Sequence, residues 1–184
     1  MNFVYLAYGT NMPSSIMKKH KIGSRGGLKF LGVGWLNDMR LAFGSGGYAT
    51  ILEAKGRRVP VCAYRVEFEE LTILDYYEGS PTYYERVDIE FEPDNIAEWG
   101  EKYPEFPILS NGNVLGKVYI MAPGHQVMTA NYVADTLARK GYEEYGIDVK
   151  YLDEAIEWSN NNRGLLIERN KDYGDCGEKD YGND

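Results

Sequence analysis

Apolar residues in this chain recur at two different periods, and the order in which those periods appear limits the folds open to it. Strand-like runs dominate the first two thirds, at 3–8, 28–43, 48–52 and 59–68. A further run follows Gly79, with Val87, Ile89 and Phe91 on one face and Arg86, Asp88 and Glu90 on the other, and Val114–Met121 is the last. Helical spacing is confined to four stretches. The first is 12–20, where Pro13 suits a first turn, and the second is Phe68–Tyr77, where Phe68, Leu71 and Leu74 recur and Gly79 takes the C-cap place. The other two close the fold, at Val127–Lys140 and at about Val149–Trp158 behind Asp148. Helices do not alternate with strands, so a doubly wound sheet fits badly. The pattern predicts an α+β domain, a small mixed β-barrel or curved sheet with flanking helices. Gly32-Val33-Gly34 and Gly44-Ser45-Gly46-Gly47 lack the further residues of a phosphate-binding loop and read as hairpin turns. Residues 93–113 are punctuated by Pro and Gly and read as a long excursion.

A length of 184 residues suits one domain. The composition shifts after Leu166: Glu168–Asp184 holds six acids and three bases, so the expected division is a folded domain over 1–166 and an acidic, disordered tail over 167–184. A formal charge of −8 argues against nucleic acid or anionic lipid as the main partner, because both call for clustered cations. No apolar run approaches the ~18 residues that span a bilayer. Met1-Asn2 leads straight into Phe3–Tyr8 with no basic n-region or cleavage site, so no secretory signal is expected. The two cysteines, Cys62 in a strand-like run and Cys176 in the tail, make a disulfide framework improbable and a reducing cytoplasm the expected setting. Two distant histidines, His20 and His125, supply a zinc site poorly, and neither a GxSxG elbow nor an HExxH motif occurs.

Two local features carry chemistry. Leu74-Asp75-Tyr76-Tyr77-Glu78-Gly79 places Glu78 in the last turn of a helix, where the negative end of the helix dipole disfavours its ionised form. A carboxylate made more basic by its setting is a candidate general base; the alternative is a solvated carboxylate with a trivial penalty. Tyr8-Gly9-Thr10-Asn11, ending the first strand, can turn successive amides toward an anion or a developing oxyanion, or be an ordinary turn. The 16 tyrosines suit either an amphipathic core edge or the lining of a polar pocket.

Together these motifs resemble the γ-glutamylcyclotransferase family. The resemblance opens on Tyr5-Leu6-Ala7-Tyr8-Gly9-Thr10-Asn11-Met12 and continues through Leu41-Ala42-Phe43, Tyr48-Ala49-Thr50-Ile51 and Val59–Tyr64. Leu74–Gly79, Tyr83-Tyr84-Glu85-Arg86-Val87, Tyr119-Ile120-Met121 and Gly141–Ile147 follow in order. It spans roughly 3–158 and implies a small mixed barrel with a pocket at one end. It further implies that Glu78 is the catalytic carboxylate. Tyr5, Leu6, Ala7, Tyr8, Gly9, Thr10 and Asn11 would form the glutamyl-binding run, with Tyr84 and Tyr119 beside it. Thr10 stands where Ser is commoner, and Tyr-Gly-Thr also occurs in relatives acting on γ-glutamylamines.

The implied reaction needs little equipment. The substrate's own α-amine attacks its γ-carbonyl and closes the lactam 5-oxoproline, releasing an amine or amino acid, so orientation supplies much of the rate. No metal and no cofactor is expected, and the partner is a small γ-glutamyl amide, with no nucleic acid or membrane and with a homodimer left open. Alternatives are a relative acting on γ-glutamylamines or deprotecting another γ-glutamyl amide, and a non-catalytic small-molecule binding module. The leaving group is expected against the 93–113 excursion.

Overall fold

A computed structural model describes residues 1–24 and 26–168. Five strands close into a barrel in the order β1-β3-β2-β4-β5. Strand β1 (Asn2–Ala7) runs antiparallel to β3 (Ala49–Glu67) from Asn2↔Glu67 to Ala7↔Cys62. On its other edge it meets β5 (Val114–Met121) in parallel, at Tyr5↔Lys117, and this contact closes the ring. Strand β2 (Lys29–Phe43) pairs antiparallel with β3 and, near Trp35, with β4 (Tyr84–Pro93), which in turn pairs with β5. The expected small mixed barrel is therefore the fold.

The β2–β3 ribbon is longer than its sequence suggests, because two apparent strands are one. Residues 48–52 and 59–68 join into β3 across an exposed bulge, where the register on β2 steps from Asn37↔Arg58 to Met39↔Glu53. Gly56, at φ 76°, turns the bulge, and its amide donates to Asp38 Oδ1 at 2.7 Å. A second register shift lies between Phe30 and Gly32, and Gly32-Val33-Gly34, expected as a hairpin turn, is instead strand, paired with Ala63, Cys62 and Val61. Bulges add twist and bend, which a five-stranded sheet needs in order to close. At the other end of the ribbon the Gly44–Gly47 cluster is the expected hairpin turn, with one turn of 3₁₀ helix over Ser45–Gly47.

Helix α1 (Ser14–Lys19) follows β1, and α2 (Phe68–Glu78) follows β3. Helix α2 starts with a capping box, Glu70 Oε2 accepting from the Glu67 amide at 2.9 Å, and buries Leu71 and Leu74. It stops at Gly79, whose φ of 62° is the left-handed C-cap that glycine takes most readily. The 93–113 excursion holds a helix that punctuation hid, α3 (Ile96–Lys102). Asn95 caps it, and its buried Trp99 packs edge-on against Phe91 at 5.4 Å.

Helix α4 (Tyr132–Glu144) begins five residues later than its apolar spacing predicts. Residues 127–131 are instead an extended strap, with Met128 donating to the Phe43 carbonyl and Asn131 to the Gly47 carbonyl. Val127 is buried from the strap rather than from a helix, so an apolar stripe at helical spacing was two different structures read as one. Asn131 Oδ1 then accepts from the Ala134 amide at 2.7 Å and starts the helix. Helix α5 (Lys150–Asn161) lies against β2, Ser159 Oγ accepting from the Phe43 amide at 3.0 Å. The domain continues past the expected boundary at 166: Ile167 is buried, and its amide donates to the His125 carbonyl. The remainder of the expected tail, 169–184, with Cys176, lies outside the described residues. Among the described residues no helix is long and apolar enough to cross a membrane.

One contact fixes the turn after β1 against α4. A Cβ at Gly141 would lie 2.4 Å from Met12 Cβ and 3.3 Å from Pro13, so only glycine lets the helix approach this closely. Gly141→Ala should therefore destabilise the protein by about 1–3 kcal/mol despite its better helix propensity, as measured by urea unfolding. Unchanged or greater stability would show that the contact is not tight.

Candidate active site

The barrel opens at the end where β1 runs out and α2 ends, and a cavity of about 360 Å³ lies there. Its floor is set by the β1 turn. Gly9 passes Ala49 so closely that a Cβ would stand 2.7 Å from Ala49 Cβ, and the Met12 amide donates to the Gly9 carbonyl at 3.1 Å. The turn buries Asn11, an unusual place for an amide side chain. Its Nδ2 donates to the Tyr5 hydroxyl at 2.9 Å and to Glu78 Oε1 at 2.7 Å. Among the described residues, the amides of Thr10 and Asn11 donate to no backbone carbonyl.

Glu78 is the one carboxylate among the described residues lining the cavity, and it is half-buried. Burial pushes its pKa up to about 7, against the opposing pull of the Asn11 hydrogen bond. The direction is the one expected from a helix C-terminus, but the principal cause is loss of water around the carboxylate. A group with this pKa is half ionised near neutrality, basic enough to take a proton and acidic enough to return one.

Tyrosines build the walls. Tyr5, Tyr8, Tyr48, Tyr77, Tyr83, Tyr84 and Tyr119 all line the cavity, and most of their hydroxyls are committed to the protein. Tyr8 donates to the Tyr119 carbonyl at 2.5 Å, Tyr84 to the Ala49 carbonyl at 2.6 Å, and Tyr83 to the Ser45 carbonyl. Tyr119 donates to Asp75 Oδ1 at 2.7 Å, while Asp75 Oδ2 holds Arg86 at 2.6 Å. Burial raises the pKa of Tyr5, Tyr8, Tyr84 and Tyr119 further, so these hydroxyls stay protonated and serve as a scaffold.

Of the expected site residues, the structure gathers Tyr5, Leu6, Tyr8, Gly9, Thr10, Asn11, Glu78, Tyr84 and Tyr119 around the cavity. Ala7 is buried beside Cys62 and does not line it. The 93–113 excursion is also absent from the lining; its helix α3 packs on β4 instead. The mouth is formed by the His20–Tyr77 pair, with ring centroids 4.0 Å apart, and the Tyr48–Tyr83 pair; the three tyrosines stand in the sequence motifs but carry no expected site role. The signal for them was composition, the excess of tyrosine. Among the described residues no Arg or Lys lines the cavity. His20 is held below its ordinary pKa by burial and by Lys19. Cys62 is buried and its thiol is pushed far up, unlike an activated thiolate. Among the described residues no three His, Cys, Asp or Glu side chains are grouped to hold a metal.

A family model described as "Gamma-glutamyl cyclotransferase, AIG2-like" matches residues 5–134. No curated protein sequence matches the chain. Among solved structures, one named "Gamma-glutamyl cyclotransferase" is 19% identical with a TM-score of 0.64, over 95% of this chain and 92% of that one. An uncharacterized protein from Homo sapiens is 21% identical with a TM-score of 0.60, over 96% and 94%. A γ-glutamyl cyclotransferase specific to glutathione from yeast is 14% identical with a TM-score of 0.53, over 88% and 97%. At these identities the structures share the barrel fold.

A raised carboxylate pKa makes the folded state bind the proton more tightly than the unfolded state does, so stability falls as pH rises from the unfolded value through about 7. Glu78→Gln removes this effect. The variant should match wild type near pH 4 and exceed it at pH 8 by up to about 3 kcal/mol, as read from denaturant unfolding at the two pH values. A difference independent of pH would place Glu78 in ordinary solvent.

Proposed function

The chain belongs to the AIG2-like γ-glutamyl cyclotransferase family, and we propose that it cyclises a γ-glutamyl amide to 5-oxoproline, with Glu78 as general acid and base. The observation that carries this reading is Glu78, the one cavity carboxylate among the described residues, bonded to Asn11 and pushed by burial to a pKa of about 7. The ionised Glu78 takes a proton from the substrate's α-ammonium. The freed amine attacks the γ-carbonyl carbon, forming the ring C–N bond and placing negative charge on the carbonyl oxygen. Collapse of that adduct breaks the original amide C–N bond, and protonated Glu78 gives its proton to the departing nitrogen. The second proton of the α-ammonium follows, so the ring nitrogen ends as a neutral lactam N–H, the α-carboxylate is unchanged, and the leaving amine departs as an ammonium.

Holding the amine against the carbonyl in one molecule supplies the larger part of the rate, which is why one base suffices. The Thr10 and Asn11 amides would hold the substrate carboxylate or the developing oxyanion. Tyr84 and Tyr119 would wall the glutamyl group, with their hydroxyls already turned to Ala49 and Asp75. A specific observation favours a narrower substrate. Among the described residues no Arg or Lys lines the cavity, so a leaving group bearing its own carboxylate would meet no cation among them. A γ-glutamylamine therefore suits the cavity better than a γ-glutamyl amino acid. The cytoplasm is the setting we propose.

The test is 5-oxoproline release from γ-glutamyl amino acids and γ-glutamylamines by wild type and Glu78→Gln. Wild type should release it, with kcat/KM rising along a limb of pKa about 7. The variant should lose roughly 10²-fold or more while remaining folded. An equally active variant would remove Glu78 from the chemistry, and a γ-glutamyl amino acid cleaved faster than every amine would overturn the narrower substrate.

A further inference from the structure

A second groove, of about 350 Å³, lies outside the barrel between α5 and the bulged part of the β2–β3 ribbon. Three guanidinium groups converge on it in a chain whose net charge is −8. Arg40 stands 4.4 Å above the Trp158 ring, and Arg58 stands 3.9 Å above the Trp35 ring. Arg57 projects from the same bulge as Arg58.

Stacking on an indole occupies the face of a guanidinium and leaves its in-plane N–H groups pointing outward. Those donors are the ones that read a carboxylate or phosphate with two parallel hydrogen bonds. In this groove they are little used. Arg58 donates to the Tyr151 hydroxyl at 3.3 Å, and Arg57 has a loose 3.6 Å contact with Glu154, both side chains being mostly exposed. No carboxylate among the described residues pairs with Arg40, although Arg40 is half-buried beside Arg57. Burial and the Arg57 charge together hold Arg40 below its ordinary pKa, which is the unfavourable direction for a cation. Folding thus brings like charges together on aromatic platforms, with only the loose Glu154 contact on Arg57 and no close carboxylate partner for Arg40 among the described residues.

We propose that this groove binds a small oxyanion, a carboxylate or phosphate monoester carried on a flat apolar body, at a site separate from the catalytic cavity. Arg40 and Arg57 take the oxyanion, and Trp158, Tyr151 and Pro60 take the apolar body. Glu154 and Glu157 line the same groove and repel any extended polyanion, so the ligand is a small molecule with one charged head and is not a nucleic acid.

Phenyl phosphate and benzoate test the site, with benzyl alcohol as the uncharged counterpart and tryptophan fluorescence as the readout. Trp158 and Trp35 adjoin the groove, whereas Trp99 packs elsewhere against Phe91. At least one of the two anions should give a saturable change, and benzyl alcohol none. A response to phenyl phosphate alone assigns a phosphate monoester, and to benzoate alone a carboxylate. Arg40→Met and Arg57→Met should each weaken binding about tenfold or more, the loss of a charge-assisted hydrogen bond. Glu78→Gln should bind as wild type does. Arg57 has a side chain 61% exposed, so its replacement tests the site without disturbing the core. No saturable change with either anion, or undiminished binding in both arginine variants, would overturn the proposal.

Discussion

Asn11 donates from one nitrogen to Tyr5 on the first strand and to Glu78 at the end of α2, 67 positions away in the chain. This pair of hydrogen bonds ties the strand that closes the barrel to the helix that covers its open end. Each partner depends on the other. A buried amide without acceptors would cost about 1–3 kcal/mol, and a buried carboxylate without a donor would stay protonated well above neutrality. Together they give a carboxylate that is desolvated enough to be basic and bonded enough to ionise.

The surroundings follow from the same constraint. Gly9 is required where the turn passes Ala49, and Gly141 where α4 passes Met12, because the turn carrying Asn11 must sit deep. Tyrosine is the side chain that suits such walls. Its ring fills the end of the barrel, and its hydroxyl meets carbonyls that the ends of strands leave open, as Tyr8 does at Tyr119 and Tyr84 at Ala49. Among the described residues the cavity lining is polar without being charged, apart from Glu78 and His20 at its mouth. The second groove reverses this arrangement, with guanidinium groups held on indole faces and one loose carboxylate contact.

Much of this was legible in the sequence, and for physical reasons. Val114–Met121 and the Phe68–Gly79 helix with its cap were readable because burial on one face imposes a period and glycine marks the stop. Glu78 and the Tyr8–Asn11 turn stood out because each breaks a local preference, a carboxylate at a helix C-terminus and a sharp turn after an apolar strand. Errors arose where periodicity was ambiguous. Val127 and Ala130 continue the stripe of α4 but belong to an extended strap, held along the domain by the Val127, Met128 and Asn131 amides bonding to the Leu165, Phe43 and Gly47 carbonyls. Helix α3 was hidden because a seven-residue helix between prolines shows barely two turns of pattern.

The chain by itself determined an α+β barrel and the residue types of its chemistry, because secondary structure and turn chemistry depend on neighbours a few positions apart. It also placed Glu78 at the end of a helix. Only the folded structure decided that burial, more than the helix dipole, raises the Glu78 pKa, since desolvation depends on what the barrel, the β1 turn and α2 jointly exclude. It likewise put His20, Tyr48, Tyr77 and Tyr83 at the mouth in place of the 93–113 segment. Those four residues come from the end of α1, the β2–β3 turn, the end of α2 and the approach to β4, and only the fold brings them to one rim.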